Sequence, residues 1–140
     1  LTMRKYIIAT HGHMAYGIGT TLSMIVGEPE NLTIINAYTE ECGDPTPEFK
    51  KVIDENPDDD IVIMTDVFGG SVNNNAMALT SNKRVHVVTG ANLALVISIV
   101  MSDQNTPTPD VIKHAIVGAR DMMIYCNEMM ENCDEEDENF

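Results

Sequence analysis

Tyr6-Ile7-Ile8-Ala9-Thr10-His11-Gly12 opens on four apolar residues and closes on a polar, glycine-containing turn. Apolar side chains at successive rather than alternate positions hide both faces of a strand, which places it inside a parallel sheet. Residues 6–9 therefore predict the first strand. Runs 32–35, 61–65 and 85–88 are also rich in β-branched residues and bounded by polar or turn-forming ones, so they predict three more. Between them lie helix-length segments at 17–26, 45–55 and 72–80, with another at 93–101 after the fourth strand. Such alternation predicts a three-layer, doubly wound α/β fold around a mainly parallel four-stranded sheet. Pro45 and Pro109 suit the first turn of a helix, and Glu48 and Asp110 suit its positive dipole end. Residues 122–126 read either as the end of the last helix or as a further short strand.

Composition narrows the function. The 140 residues carry 22 acids against 8 Lys plus Arg, a formal charge of −14. That balance excludes a nucleic-acid binder, whose affinity comes largely from cations on phosphates. Half of the net charge sits in residues 128–140, which hold seven acids and no base. We expect one domain over 1–127 and a solvated acidic tail over 128–140. A chain of this length buries roughly 70% of its unfolded surface, enough to fold without a disulfide or metal staple. Its longest apolar stretch, 91–101, is interrupted by Asn92 and Ser98 and falls short of the ~20 residues a membrane helix needs. The first residues lack a secretory signal's apolar core and cleavage site, so a cytoplasmic protein is expected. Cys42, Cys126 and Cys133 form no CxxC pair, which predicts free thiols rather than a disulfide framework or zinc site. The ten methionines are scattered through apolar positions and read as core filling.

In an open parallel sheet, ligands bind beyond the carboxyl ends of the strands near a topological switch point. Two loops qualify: Thr10-His11-Gly12-His13-Met14-Ala15-Tyr16-Gly17 and Thr65-Asp66-Val67-Phe68-Gly69-Gly70-Ser71. His11, expected just past the first strand, suits a nucleophile or general base. Right-handed crossovers can bring Asp66 beside it. A carboxylate that accepts the imidazole Nδ1 proton leaves Nε2 with its lone pair free to attack an electrophile. Gly69, Gly70 and Ser71 open a helix and together offer a phosphate cradle of close backbone, helix dipole and hydroxyl. Gly-Gly-Ser alone also reads as a plain helix cap at Ser71.

Other motifs fail. The 12–19 stretch lacks the Gly-Lys-Ser/Thr of a nucleotide phosphate loop, and Gly17-x-Gly19 lacks the third glycine of a dinucleotide fingerprint. His11-x-His13 has no nearby Cys or carboxylate in sequence, so no metal is expected. His86 lies on a strand and suits a satisfied or exposed partner, and His114 suits a helix surface.

Ile7-Ile8-Ala9-Thr10-His11-Gly12 with Thr65-Asp66-Val67-Phe68-Gly69-Gly70-Ser71 resembles the mannose-type EIIA component of the phosphoenolpyruvate-dependent sugar phosphotransferase system. The similarity covers residues 3–127 and includes Thr89-Gly90-Ala91-Asn92-Leu93. Val72 and Ala94 stand where that family commonly has proline. The resemblance implies a phosphotransferase in which His11 accepts a phosphoryl group from HPr and passes it to the EIIB component, indirectly serving membrane permease components. It implies that Asp66 hydrogen-bonds His11 and that Thr10, Gly69, Gly70 and Ser71 surround the phosphoryl group, with no cofactor. It also implies a homodimer in which 122–126 is exchanged as a fifth, antiparallel strand. The phosphotransfer subunit of dihydroxyacetone kinases shares the fold and a histidine after strand one, but Asp-x-Phe-Gly-Gly-Ser favours the sugar system. A regulatory anion-binding module is the reading without turnover.

Overall fold

Each apolar run lies in a strand of one four-stranded, all-parallel sheet: β1 (Arg4–His11), β2 (Leu32–Ala37), β3 (Asp60–Thr65) and β4 (Val85–Thr89). The computed structural model describes residues 3–138. Six helices accompany the strands: α1 (Met14–Val26), α2 (Thr46–Glu55), α3 (Ser71–Met77), α4 (Leu93–Val100), α5 (Thr108–Asp121) and α6 (Cys126–Glu138). Among the described residues no helix is long and apolar enough to cross a membrane.

Period-two side-chain alternation divides the apolar strands between two cores. Tyr6, Ile8, Val62, Met64 and Val88 face one side, under α1, α4 and α5. Ile7, Ala9, Ile35, Ile61, Ile63 and Val85 face the other, under α2 and α3. Full burial of each large aliphatic side chain contributes roughly 2 kcal/mol, so both layers hold the sheet. The three-layer, doubly wound expectation is met.

Strand order is β2-β1-β3-β4. The chain leaves β1 towards one edge and β3 towards the other, so the switch point lies between their carboxyl ends. Register completes the placement: Ala9 pairs with Thr65 and His11 with Ala37. Asp66 and Tyr38, which follow those partners, are thereby carried to either side of His11.

At the opposite end of β1, Arg4 is completely buried. Its guanidinium donates to the carbonyls of Asp103 at 2.6 Å and Thr106 at 2.8 Å and to Ser102 Oγ at 3.1 Å, tying the sheet to the α4–α5 turn. A buried cation persists only when its N–H groups are satisfied in this way.

Four expectations change. His11 is the last residue of β1 rather than a residue beyond it. Among the described residues, 122–126 pair with no strand: Met122 caps α5, and Cys126 already begins α6. The acidic stretch read as a tail continues as helix α6 up to Glu138; residues 139–140 lie outside the described residues. Met122, Met123, Ile124, Tyr125, Met129 and Met130 are all exposed, and of the ten methionines only Met64 is buried, so the methionines do not fill the core as expected.

Candidate active site

His11 reaches the site because β1 ends on it and Gly12, at φ +63°, turns the chain away. The Gly12 N–H donates to Ala37 O at 3.0 Å, which fastens the turn to β2. Asp66 arrives from the end of β3. Its Oδ2 accepts two bonds from one residue: the His11 backbone N–H at 2.9 Å and the imidazole Nδ1–H at 2.9 Å. Oδ1 accepts from the Val67 N–H at 3.0 Å.

Burial pushes the Asp66 carboxyl up, but the His11 N–H and imidazole outweigh it and hold the group below the ordinary carboxylate range. Asp66 is therefore ionised and acts only as an acceptor, which assigns the proton to Nδ1. In the neutral imidazole Nε2 then carries the lone pair. Ser71 Oγ lies 3.3 Å from it, and the His11 side chain keeps 46% of its surface exposed. A nucleophilic nitrogen thus faces solvent with its other nitrogen anchored.

The loop after β3 is shaped around this ring. Gly69 has φ +80°, a conformation that side chains resist, whereas Gly70 is needed for proximity. A Cβ on Gly70 would lie 3.3 Å from His11 Cε1 and 3.3 Å from Val67 O. Gly70 is the N-cap of α3 and Ser71 its first residue, so the serine does not cap the helix; its hydroxyl faces His11 instead. The glycine amides are occupied locally, Gly69 N–H by Asn73 Oδ1 at 3.2 Å and Gly70 N–H by Val67 O at 3.2 Å. They shape the cradle by leaving room, while Ser71 supplies a donor.

Thr10, expected beside a phosphoryl group, is fully buried, and its Oγ1 accepts the Ala15 N–H at 2.8 Å. Its hydroxyl holds the start of α1 and does not face the open side of His11. His13 is not isolated from carboxylates, as the sequence reading expects, because the loop after β2 brings exposed Glu40 to 3.7 Å and Glu41 close by. His86 Nε2 faces Asp60 Oδ2 at 3.6 Å, and His114 is exposed on α5.

The sequence reading overlooks two residues. Asn73 is buried on α3, with its side-chain oxygen on Gly69 N–H and its amide on Thr65 Oγ1 at 3.0 Å, so it braces the glycine loop against β3. A polar residue on the inward face of a short helix was its signal. Tyr38 stands with its ring centroid 5.5 Å from that of His11. Its nearness depends on the β1–β2 register, which the residues do not spell out.

Val72 and Ala94 occupy ordinary helical positions. Val72 is buried in the α2–α3 core, and α4 is capped by Asn92, whose side chain accepts from Leu95 N–H at 3.1 Å. Neither residue displaces a group of the site.

Comparisons with known proteins agree on one family. Residues 5–116 match the EIIA-man family model, described as the fructose IIA component of the phosphotransferase system (PTS). The chain is 21% identical over 132 residues to the fructose-specific EIIA component of that system in Bacillus subtilis strain 168, covering 92% of this chain and 90% of that protein. A Klebsiella pneumoniae structure, described as a permease of the phosphoenolpyruvate-dependent sugar phosphotransferase system, is 32% identical with a TM-score of 0.84, covering 92% of this chain and 95% of that one. The mannose/sorbose-specific IIA subunit of Enterococcus faecalis is 25% identical with a TM-score of 0.76, covering 88% and 94%. With four-fifths of its length matched by the family model, the chain belongs to the mannose-type EIIA family of sugar phosphotransferase components.

Proposed function

We propose that His11 accepts a phosphoryl group from phospho-HPr and passes it to an EIIB component. The observation that carries this reading is the imidazole itself, with Nδ1 on ionised Asp66 at 2.9 Å and Nε2 open beside Ser71. The Nε2 lone pair forms the N–P bond while the bond from phosphorus to the donor breaks, its electron pair leaving with the donor. No proton has to leave Nε2. The imidazole becomes formally cationic, and Asp66 offsets that charge. Ser71 Oγ can turn from Nε2 to a phosphoryl oxygen, and Gly70 leaves space for the group. Phosphoryl transfer asks chiefly for positioning and charge stabilisation, and His11, Asp66 and Ser71 offer both. Gly69 lines the same space, and Thr10 acts from beneath by fixing α1.

The unit that does this is the domain of residues 1–127, acting in the cytoplasm and serving permease components only through EIIB, with residues 128–140 as an acidic extension. The homodimer reading draws support from the edge of the sheet. Among the described residues β4 pairs only with β3, a groove of about 540 Å³ lined by Val88, Thr89, Ile112, Ile116, Arg120 and Met123 lies beside it, and apolar residues 122–125 are exposed. An exchanged strand from a second copy would cover both.

Incubation with phosphoenolpyruvate, enzyme I and HPr should yield one acid-labile phosphoryl group per chain. It should be absent from His11→Ala. Labelling of His11→Ala equal to the parent would overturn the assignment.

A further inference from the structure

Tyr38 occupies a backbone conformation that its side chain disfavours. Its φ is +60°, and among the described residues the only other non-glycine with positive φ is Asn31, a residue type that tolerates that region. The loop imposes the conformation. Tyr38 N–H donates to Gly43 O at 3.1 Å, Thr39 and Cys42 exchange backbone bonds at 2.9 and 3.3 Å, and Thr39 Oγ1 donates to Asn36 O at 2.7 Å. The Tyr38 bond is made through its backbone, so glycine or asparagine would keep it with less strain. Core packing does not account for the tyrosine either, since 49% of it is exposed. What the ring does meet is His11, with centroids 5.5 Å apart and planes inclined by 33°. That separation lies within the range at which an aromatic face attracts a cation and at which paired rings restrict one another.

Resting on the phosphohistidine reading above, we infer that Tyr38 is a positioning residue for the transfer: its ring holds the His11 imidazole in place and favours the cationic form that N–P bond formation creates. Asp66 anchors the imidazole through Nδ1 in its plane; Tyr38 adds a dispersion and quadrupole contact that a hydrogen bond does not supply. Phenylalanine retains both effects because the hydroxyl takes no part. Asparagine and glycine suit the backbone but remove them.

The test compares Tyr38→Phe, Tyr38→Asn and Tyr38→Gly with the parent in two measurements. In the first, NMR follows the His11 ring protons of the unphosphorylated protein, which the tyrosine ring current displaces. The displacement should persist in Tyr38→Phe and vanish in Tyr38→Asn and Tyr38→Gly. In the second, single-turnover transfer from phospho-HPr is followed against HPr concentration. The maximal rate should fall about fivefold in Tyr38→Asn and Tyr38→Gly and stay within about twofold in Tyr38→Phe. Thermal midpoints of the asparagine and glycine variants should hold or rise as backbone strain is relieved. His11 resonances that do not move in Tyr38→Gly overturn the inference. So does a loss confined to the half-saturating HPr concentration, which would make Tyr38 a docking contact. A parent that takes up no phosphoryl group defeats the functional reading, and the NMR comparison alone then decides whether Tyr38 holds the ring.

Discussion

One carboxylate oxygen, Asp66 Oδ2, holds both the backbone and the side chain of His11, each at 2.9 Å. The two bonds share an acceptor, so the imidazole cannot turn away without abandoning an anion that burial has made costly to leave uncompensated. Ring orientation and the ionisation of Asp66 are thereby coupled.

Removing the charge should uncouple them. Asp66→Asn retains a carbonyl acceptor but no longer fixes the Nδ1 proton or offsets the developing imidazolium. We expect transfer from phospho-HPr to slow by about 10–100-fold, by analogy with the loss when a partner that orients a metal-bound imidazole is replaced. Rapid-quench labelling measures it, and an unchanged rate constant would contradict the orienting role.

The same pair sets an acid limb of stability. The folded Asp66 titrates below its ordinary value, whereas in the unfolded chain it titrates near 3.9. Its contribution is therefore complete above about pH 4 and is lost as pH falls through the lowered folded value. Denaturant titrations of the parent and Asp66→Asn should show a stability gap that narrows on acidification below about pH 4. A gap independent of pH would show that the carboxylate is not held in its charged form.

Two adjacent glycines should fail in different ways. Alanine at Gly69 meets open space but must adopt φ +80°, which costs about 1–2 kcal/mol of stability. Alanine at Gly70 brings its Cβ to 3.3 Å from His11 Cε1, so it should impair labelling of His11 more than folding. Melting curves and labelling rates on both variants separate the effects; equal behaviour would argue against the close approach at Gly70.

Asn73→Ala leaves the buried Thr65 Oγ1 and the part-buried Gly69 N–H without their side-chain partner. A loss of about 1–3 kcal/mol is expected by urea unfolding, together with faster amide exchange at Gly69. Full stability would mean that the glycine loop is braced by other means.

The exchanged-strand reading makes a hydrodynamic prediction. Sedimentation of the full chain should give a dimer, and removal of residues 121–140 should give a monomer. Monomers in both cases would dispose of it.

Much of this architecture was legible in the residues. Runs such as 6–9 and 61–64 are apolar at every position and contain β-branched residues, a pattern that leaves little alternative to strands buried on both faces. His11, Asp66 and Ser71 were legible because the ends of parallel strands are where such folds bind ligands. What escaped depends on direction and register. Thr10 shares the His11 loop in sequence, yet its hydroxyl turns inward to Ala15. Tyr38 is 27 positions from His11 and becomes its neighbour only through the pairing of His11 with Ala37. Helix α6 was hidden by its own charge. The acidic run suggests a solvated tail, although Glu and Met are good helix formers and Cys126, Met129, Met130 and Cys133 recur at helical spacing.

The buried Arg4 and the exposed His11 are the first and last residues of the same strand. Seven steps of about 3.3 Å place them roughly 23 Å apart. Salt screens a buried charge poorly, so distance does most of the separating, and at an effective dielectric of about 20 a unit charge there is still worth roughly 0.7 kcal/mol at the imidazole. The strand thus joins the clamp that holds the fold to the histidine at its other end, and a substitution at Arg4 is expected to act on the lifetime of the folded protein far more than on the imidazole.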